Sequence, residues 1–271
     1  METTQSDYIL GVNQAELERL RFQHSVWSHV SNAFFERVGL REGWKCLDAG
    51  AGPGFVSFDI LERIGSGGNI TLLDRSSEYL GWFEKEATSR GIANFSCIQG
   101  DVESAPLPKN MYDFIFTRWV IDFVPAPEIF LAQLIESLKP GGIIAFQDYM
   151  YEGLSLFPKG GACDKLADAA RAYYHVGGGD PYTMGKIPAW FNKYGLELID
   201  YTPHSFAGNN TSEIIEWAHR FFVPHLPLMA NTGIISHADA EAMVNDWLSH
   251  RKNPDTVFFS PIVVDVAGRK Q

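Results

Sequence analysis

An α/β protein built on a doubly wound parallel sheet is what this sequence predicts, and three observations predict it. From residue 44 onward, short apolar runs alternate with segments of helical periodicity. The first run opens directly into a glycine-rich turn, Leu47-Asp48-Ala49-Gly50-Ala51-Gly52-Pro53-Gly54. Acidic residues close or follow the next two runs, at Asp74 and Asp101. Strands separated by crossover helices pair in parallel, and such sheets bind ligands beyond the carboxyl ends of their strands.

Each element has its own signal. Leu17, Leu20, Trp27, Val30, Phe34 and Val38 fall near helical spacing, and Asn13 with Glu16 resembles a capping box, so one long or two short helices are expected over 14–38. Residues 44–49 read as a strand and 54–64 as a helix. Residues 69–74 form the next strand, 77–89 a helix ended near Gly91, and 95–99 a strand. Then come a strand over 112–117, a helix over 126–138, a turn at Lys139-Pro140-Gly141-Gly142 and a strand over 143–148. Beyond 150, helices are expected over 164–176, where Gly177-Gly178-Gly179 breaks the pattern, over 183–194, and near 212–222 and 238–250. Strands over 196–201 and 256–267 would complete the same sheet, giving one domain with helical embellishments.

Composition excludes several function classes. A chain of 271 residues, 45% hydrophobic and 20% charged, buries a core without a disulfide or metal staple. Its net charge of −11 weighs against nucleic acid and anionic lipid as partners. Cys46, Cys97 and Cys163 are odd in number and lack CxxC spacing, which argues against a zinc site and a secreted disulfide framework. The histidines form no HxH or HExxH pattern, so no metal is expected. The opening METTQSDYILGVNQ lacks the order of a signal peptide, and no apolar run approaches the roughly 20 residues that span a bilayer. The expectation is a soluble protein of a reducing cytoplasm.

The glycine-rich turn carries the chemistry. Glycines let the chain bend tightly and let a ligand approach the backbone. A dinucleotide site would place a third glycine at position 55, but Phe55 stands there and the spacing is GxGxG. Asp48, ahead of the turn, suits a cationic ligand group better than a phosphate, although it could instead cap the turn. Asp74, ending the second strand, can accept both hydroxyls of a ribose. Asp101, within Gly100-Asp101-Val102, can accept from the amino group of a purine.

The ordered set LDAGAGPG, LLD, GDVE, YDFIFTRWVIDFV and LKPGG resembles the class I S-adenosylmethionine-dependent methyltransferases of small molecules, including the ubiquinone/menaquinone type. The resemblance covers residues 40–150 well and continues weakly through Gly179-Asp180-Pro181-Tyr182. It implies a Rossmann-like, seven-stranded, mostly parallel sheet with an antiparallel last strand. It also implies a helical lid over 1–40 and a methyltransferase domain over 41–271, with helical cap insertions near 155–180 and 205–252. S-adenosyl-L-methionine would be the cofactor and S-adenosyl-L-homocysteine its product. Gly50, Ala51, Gly52 and Gly54 would form the cofactor loop, with Asp48 near the amino-acid part. Asp74 would hold the ribose hydroxyls, with Arg75 flanking the adenine and Gly100, Asp101 and Val102 at its edge and face. Arg118 and Trp119 would line the methionine side, and Gln23 or Trp27 would close over the cofactor.

The acceptor side is less marked. His175 follows Tyr173-Tyr174 in a segment that the resemblance places over the substrate mouth, and Asp148 and Tyr149 end the fifth strand at the functional lip. These three are the candidates to meet the acceptor, with structural roles as the alternative. Trp190, Phe191, Trp217, Phe221, Phe222, Phe258 and Phe259 form either the core of a small lid or an apolar substrate pocket. His219 and Phe222 share one helix face and read as packing. The expected reaction is in-line transfer of a methyl group to an O, N or C atom of a small, fairly apolar organic molecule, by a monomer or homodimer. Near-attack positioning can supply roughly 7–11 kcal/mol of such a reaction, so positioning residues are expected more firmly than a base. The rivals are a non-catalytic S-adenosylmethionine-binding regulator and a nicotinamide-dependent oxidoreductase; Phe55 speaks against the second.

Overall fold

The computed structural model describes residues 14–271; Asn13 of the expected capping box lies outside the described residues. The N-terminal helix is a single one, α1 (Gln14–Val38), burying Gln23, Trp27, Val30, Phe34 and Val38 at successive steps of three or four. After it β1 (Lys45–Ala49), α2 (Phe55–Ile64), β2 (Asn69–Asp74), α3 (Ser77–Ser89) and β3 (Phe95–Gln99) alternate. β4 (Tyr112–Arg118), α4 (Pro127–Ser137) and β5 (Leu138–Met150) continue the pattern. Then come β6 (Ser155–Phe157), α5 (Leu166–Val176), α6 (Thr183–Lys193), β7 (Leu196–His204) and β8 (Ala207–Asn209). The chain ends through α7 (Glu213–Asn231), α8 (His237–Lys252), β9 (Val257–Phe259) and β10 (Ile262–Lys270).

The main sheet has seven strands in the order β3-β2-β1-β4-β5-β10-β7. Pairing is parallel from β3 to β5, and β10 runs antiparallel to both of its neighbours. This is the doubly wound, mostly parallel sheet with an antiparallel last strand. The strand order reverses between β1 and β4, which opens a crevice at their carboxyl ends.

Three local expectations are corrected. The Lys139-Pro140-Gly141-Gly142 turn lies inside β5: Tyr112 pairs with Leu138 but Phe114 with Ile143, so the extra residues bulge, with Gly141 at φ 76°. The helix expected near 212–222 runs on to Asn231 through Pro224 and Pro227. Burial of Phe222, Leu226 and Met229 on one side outweighs the backbone bonds those prolines remove. The strand expected over 256–267 is two strands, because Pro261 has no N–H for a ladder; β9 leaves the main sheet and pairs with β6 and β8.

The segments around α5, α7 and α8 form a cap over the carboxyl ends of the strands. Trp217, Phe222, Trp247 and Phe258 of the cap pack with Val26, Trp27 and Val30 of α1 and with Tyr149 of β5 in one cluster. Phe34 and Phe35, further along α1, pack instead on Phe114 and Phe116 of the sheet. Thus α1 joins cap to sheet. Among the described residues, no helix is long and apolar enough to cross a membrane.

Gly54 caps the N-terminus of α2 in the left-handed conformation, φ 71°, and a Cβ there would overlap Phe83 and Leu72. Gly54→Ala is therefore expected to lose about 2–4 kcal/mol of stability, read by denaturant unfolding.

Candidate active site

A cavity of about 580 Å³ opens where the strand order reverses. At one end it meets the turn after β1. The N–H groups of Gly50 and Ala51 both donate to the Leu73 carbonyl, 2.8 and 3.1 Å, which folds the turn onto β2. Gly50 is left-handed, φ 78°, and a Cβ would overlap Val120. Gly52, φ 54°, has nothing within 4 Å of a Cβ position, so a side chain there would occupy cavity space.

The three acids at this end differ in setting. Asp74 accepts from Gly52 N at 2.7 Å and Ser76 N at 2.8 Å, one bond on each carboxylate oxygen. Burial raises its pKa while those two N–H groups pull it back. Asp101 is exposed and accepts from Glu103 N at 2.9 Å. Asp48 is buried and accepts from Ser57 Oγ at 2.6 Å; burial pushes its pKa up to about 6, against the pull of Ser57 and Arg118. Arg75, Val102 and Glu103 complete this end.

Arg118 faces Asp48's end of the cavity and is held by a line of side chains that crosses the sheet. Asp265, fully buried, accepts from Arg37 Nη2 and His204 Nε2, both 2.7 Å, and from Gln147 Nε2 at 2.6 Å. With its amide nitrogen committed, Gln147 presents Oε1 to Ser31 Oγ, 2.6 Å. The Ser31 hydroxyl proton is thereby used, and its oxygen accepts from Arg118 Nη1, 3.0 Å. The other terminal nitrogen, Nη2, meets His24 Nδ1 at 3.2 Å. Burial lowers the Arg118 pKa to about 10, with Asp48 opposing the shift.

The opposite end is aromatic. Trp119, itself left-handed at φ 57°, stacks on Tyr149 with centroids 5.6 Å apart and an angle of 9°. Trp217, Phe221 and Phe222 of α7 form a second wall, and the hydroxyls of Tyr151 and Tyr174 meet at 3.1 Å. Gln23 and Arg19 of α1 are the polar groups there. Gln23 Oε1 accepts from Arg19 Nη1, 3.0 Å, and from Trp217 Nε1, 3.2 Å.

The structure sorts the sequence candidates. Gln23, Asp48, Gly50, Ala51, Gly52, Asp74, Arg75, Asp101, Val102, Arg118, Trp119 and Tyr149 line the cavity together. Gly54 and Gly100 stand behind it. Trp27 is fully buried beneath the wall, edge-on to Trp119 and Trp217. Asp148 also lies outside the lining: its carboxylate accepts from Val120 N, 2.8 Å, and Tyr149 N, 2.9 Å, and so anchors the 3₁₀ turn Ile121–Phe123. Burial pushes its pKa up to about 7, and the surrounding N–H groups oppose this. His175 is exposed, with Nδ1 3.2 Å from the Gly179 carbonyl, on a separate shallow groove shared with Pro125 and Trp190. His219 accepts from Trp247 Nε1 at 3.1 Å, a packing role. Arg19, Tyr151 and Tyr174 were not singled out for the site from sequence, since no local pattern distinguishes them. No cluster of metal-ligating side chains occurs among the described residues.

A crevice at the strand ends, lined by acids and by glycines that open the backbone to it, defines a ligand-binding α/β protein of the doubly wound class. Residues 40–184 match the family model described as "Methyltransferase domain", and the chain belongs to that family, whose fold is that of the class I S-adenosylmethionine-dependent methyltransferases. It is 28% identical over 165 residues to the ubiquinone/menaquinone biosynthesis C-methyltransferase of Psychromonas ingrahamii, covering 58% of this chain and 66% of that one. The enzyme of the same name from Cellvibrio japonicus is 32% identical over 44% of this chain and 47% of its own length. The chain thus spans between about half and two thirds of these curated relatives. Among solved structures, it is similar to an S-adenosylmethionine-dependent methyltransferase from Aquifex aeolicus, with a TM-score of 0.53, 21% identity and coverage of 71% and 93%. A geranyl diphosphate methyltransferase in complex with S-adenosylmethionine gives 0.58, 14%, and coverage of 97% and 94%. At these identities the likeness is one of fold.

Gln147→Leu would leave Ser31 and Asp265 each short of a buried partner. A loss of about 1–3 kcal/mol is expected in denaturant unfolding.

Proposed function

We propose that this chain transfers a methyl group from S-adenosylmethionine to a small, fairly apolar organic acceptor. The observation that carries the reading is the single cavity with two chemically different ends, one acidic and glycine-lined, the other aromatic. The residues present fit the cofactor. Gly52 leaves room at the backbone, the Asp74 carboxylate in the cavity lining suits the ribose hydroxyls, and Asp101 with Val102 suits the adenine. Asp48 would take the ammonium group and Arg118 the carboxylate of the amino-acid part.

The bound cofactor supplies a methyl group made electrophilic by its sulfonium. The chain's own work is to hold the acceptor in line with that group and to exclude water, for which the aromatic walls and the α1–α7 contact serve. Phe55 in place of a third glycine weighs against a nicotinamide reaction. An aromatic end that continues from the acidic one supports catalysis over a purely regulatory role.

Incubation with labelled cofactor and a metabolite extract is expected to give a product heavier by one methylene; cofactor binding without any such product would favour the regulatory reading. Because the ligand's ammonium pairs only with ionised Asp48, cofactor affinity is expected to fall as pH drops below about 6, approaching about tenfold per pH unit, and Asp48→Asn is expected to abolish that slope. Asp74→Ala is expected to weaken cofactor binding by about 10–100-fold, measured by calorimetry. Since His175 stands outside the cavity, His175→Ala is expected to leave turnover within about twofold; a much larger loss would return it to the reacting centre.

A further inference from the structure

The polar groups at the aromatic end are arranged almost entirely to donate. Gln23 is buried, and its Oε1 already holds two donors, Arg19 Nη1 and Trp217 Nε1. That fixes the amide: the NH₂ group is turned the other way and has no partner among the described residues, on a side chain that lines the cavity. Arg19 is engaged along one edge by Glu16, Nε to Oε2 and Nη2 to Oε1, both 2.7 Å. A guanidinium has five N–H donors, so this pairing and the bond to Gln23 leave two. Burial pulls the Arg19 pKa down, but Glu16 outweighs it, so the group stays charged.

Among the described residues, no side chain that lines this end is a carboxylate or a histidine; the carboxylates nearest its tyrosines, Asp122 and Asp148, are buried outside the lining. The carboxylates of the lining, Asp48, Asp74, Asp101 and Glu103, all stand in or just beyond the carboxyl ends of β1, β2 and β3. Burial drives the hydroxyls of Tyr149, Tyr151 and Tyr174 above the usual phenol range, so they remain neutral donors. Beside them Trp119 stacks on Tyr149 and Trp217 is inclined at 31° to that tyrosine, an aromatic surface suited to the face of a flat ring.

We propose that the acceptor is a flat conjugated molecule carrying an already ionised oxygen, a phenolate or enolate, whose oxygen is received by Arg19 and the Gln23 amide. This rests on the methyltransferase reading above and narrows its acceptor. The acceptor loses its proton to solvent before it binds. Its electron pair, on oxygen or on the conjugated ring carbon, forms the bond to the methyl carbon as the carbon–sulfur bond breaks and that pair stays on sulfur. Attack from carbon ends with loss of the ring proton to water, and attack from oxygen needs no further proton transfer.

The test begins with calorimetric binding of S-adenosylmethionine and S-adenosylhomocysteine; failure to bind either overturns the methyltransferase reading itself. The protein is then assayed with ring-matched phenols and cyclic enols of graded acidity, and with anilines and benzyl alcohols of the same size. Methylation of the acidic phenols or enols is expected, with kcat/KM rising tenfold per pH unit up to each acceptor's own pKa and moving with it. Gln23→Glu keeps an oxygen for Arg19 and Trp217 but replaces the free donor with negative charge. It is expected to raise the acceptor KM by about tenfold or more while the cofactor Kd stays within about twofold. Arg19→Lys, which keeps the charge but loses the fork, is expected to raise the KM in the same direction. Binding of cofactor without methylation of any acidic phenol or enol, methylation of amines or alcohols in preference, or a pH profile that ignores the acceptor's pKa would overturn the acceptor inference and leave the cofactor site standing.

Discussion

A carboxylate can only accept hydrogen bonds, and at Asp265 that restriction orients a line of side chains reaching from the far edge of the sheet to the cavity. Gln147 must give Asp265 its amide nitrogen, Ser31 must then give Gln147 its proton, and Arg118 must donate to Ser31. Each member has one permitted polarity, so the guanidinium cannot turn without leaving a buried group unpaired. The strand register makes this possible: Asp265 of β10 pairs directly with Gln147 of β5, which in turn lies opposite Arg118 of β4.

The same economy appears at the other end of the cavity. Two donors converge on the Gln23 oxygen, and this decides which face of the amide remains open. Helix α1 supplies Ser31 to one network and Gln23 to the other, and its Trp27 fills the space between Trp119 and Trp217. A helix that reads from sequence as a lid is therefore also the brace that sets the distance between the two ends.

Residues whose place in the cavity follows from their immediate chain position were legible. Asp48, Asp74 and Asp101 stand at or just beyond strands, and a strand's end in a doubly wound sheet is where ligands bind. Where one residue's difference decides direction, chain order misled. Tyr174 and His175 are neighbours, but a helix turns by about 100° per residue, so Tyr174 reaches the cavity and His175 faces solvent. Tyr149 and Asp148 alternate across β5 in the same way, one into the cavity and one into the backbone N–H groups behind it. Trp217 and Phe221, four residues apart on α7, read from sequence either as lid core or as pocket, and only the packing of α1 and β5 against them makes them a cavity wall.

By itself the sequence determined the alternation of strands and helices, the glycine turn with its attendant acids, and hence the family, because these depend on periodicity and on backbone freedom, which are local. The tertiary structure decided which side chains share a cavity, which polar atoms are already spent on neighbours and which remain to meet a ligand. Those outcomes depend on contacts between residues far apart in the chain, such as Gln23 with Trp217 and Ser31 with Gln147, and no local pattern records them.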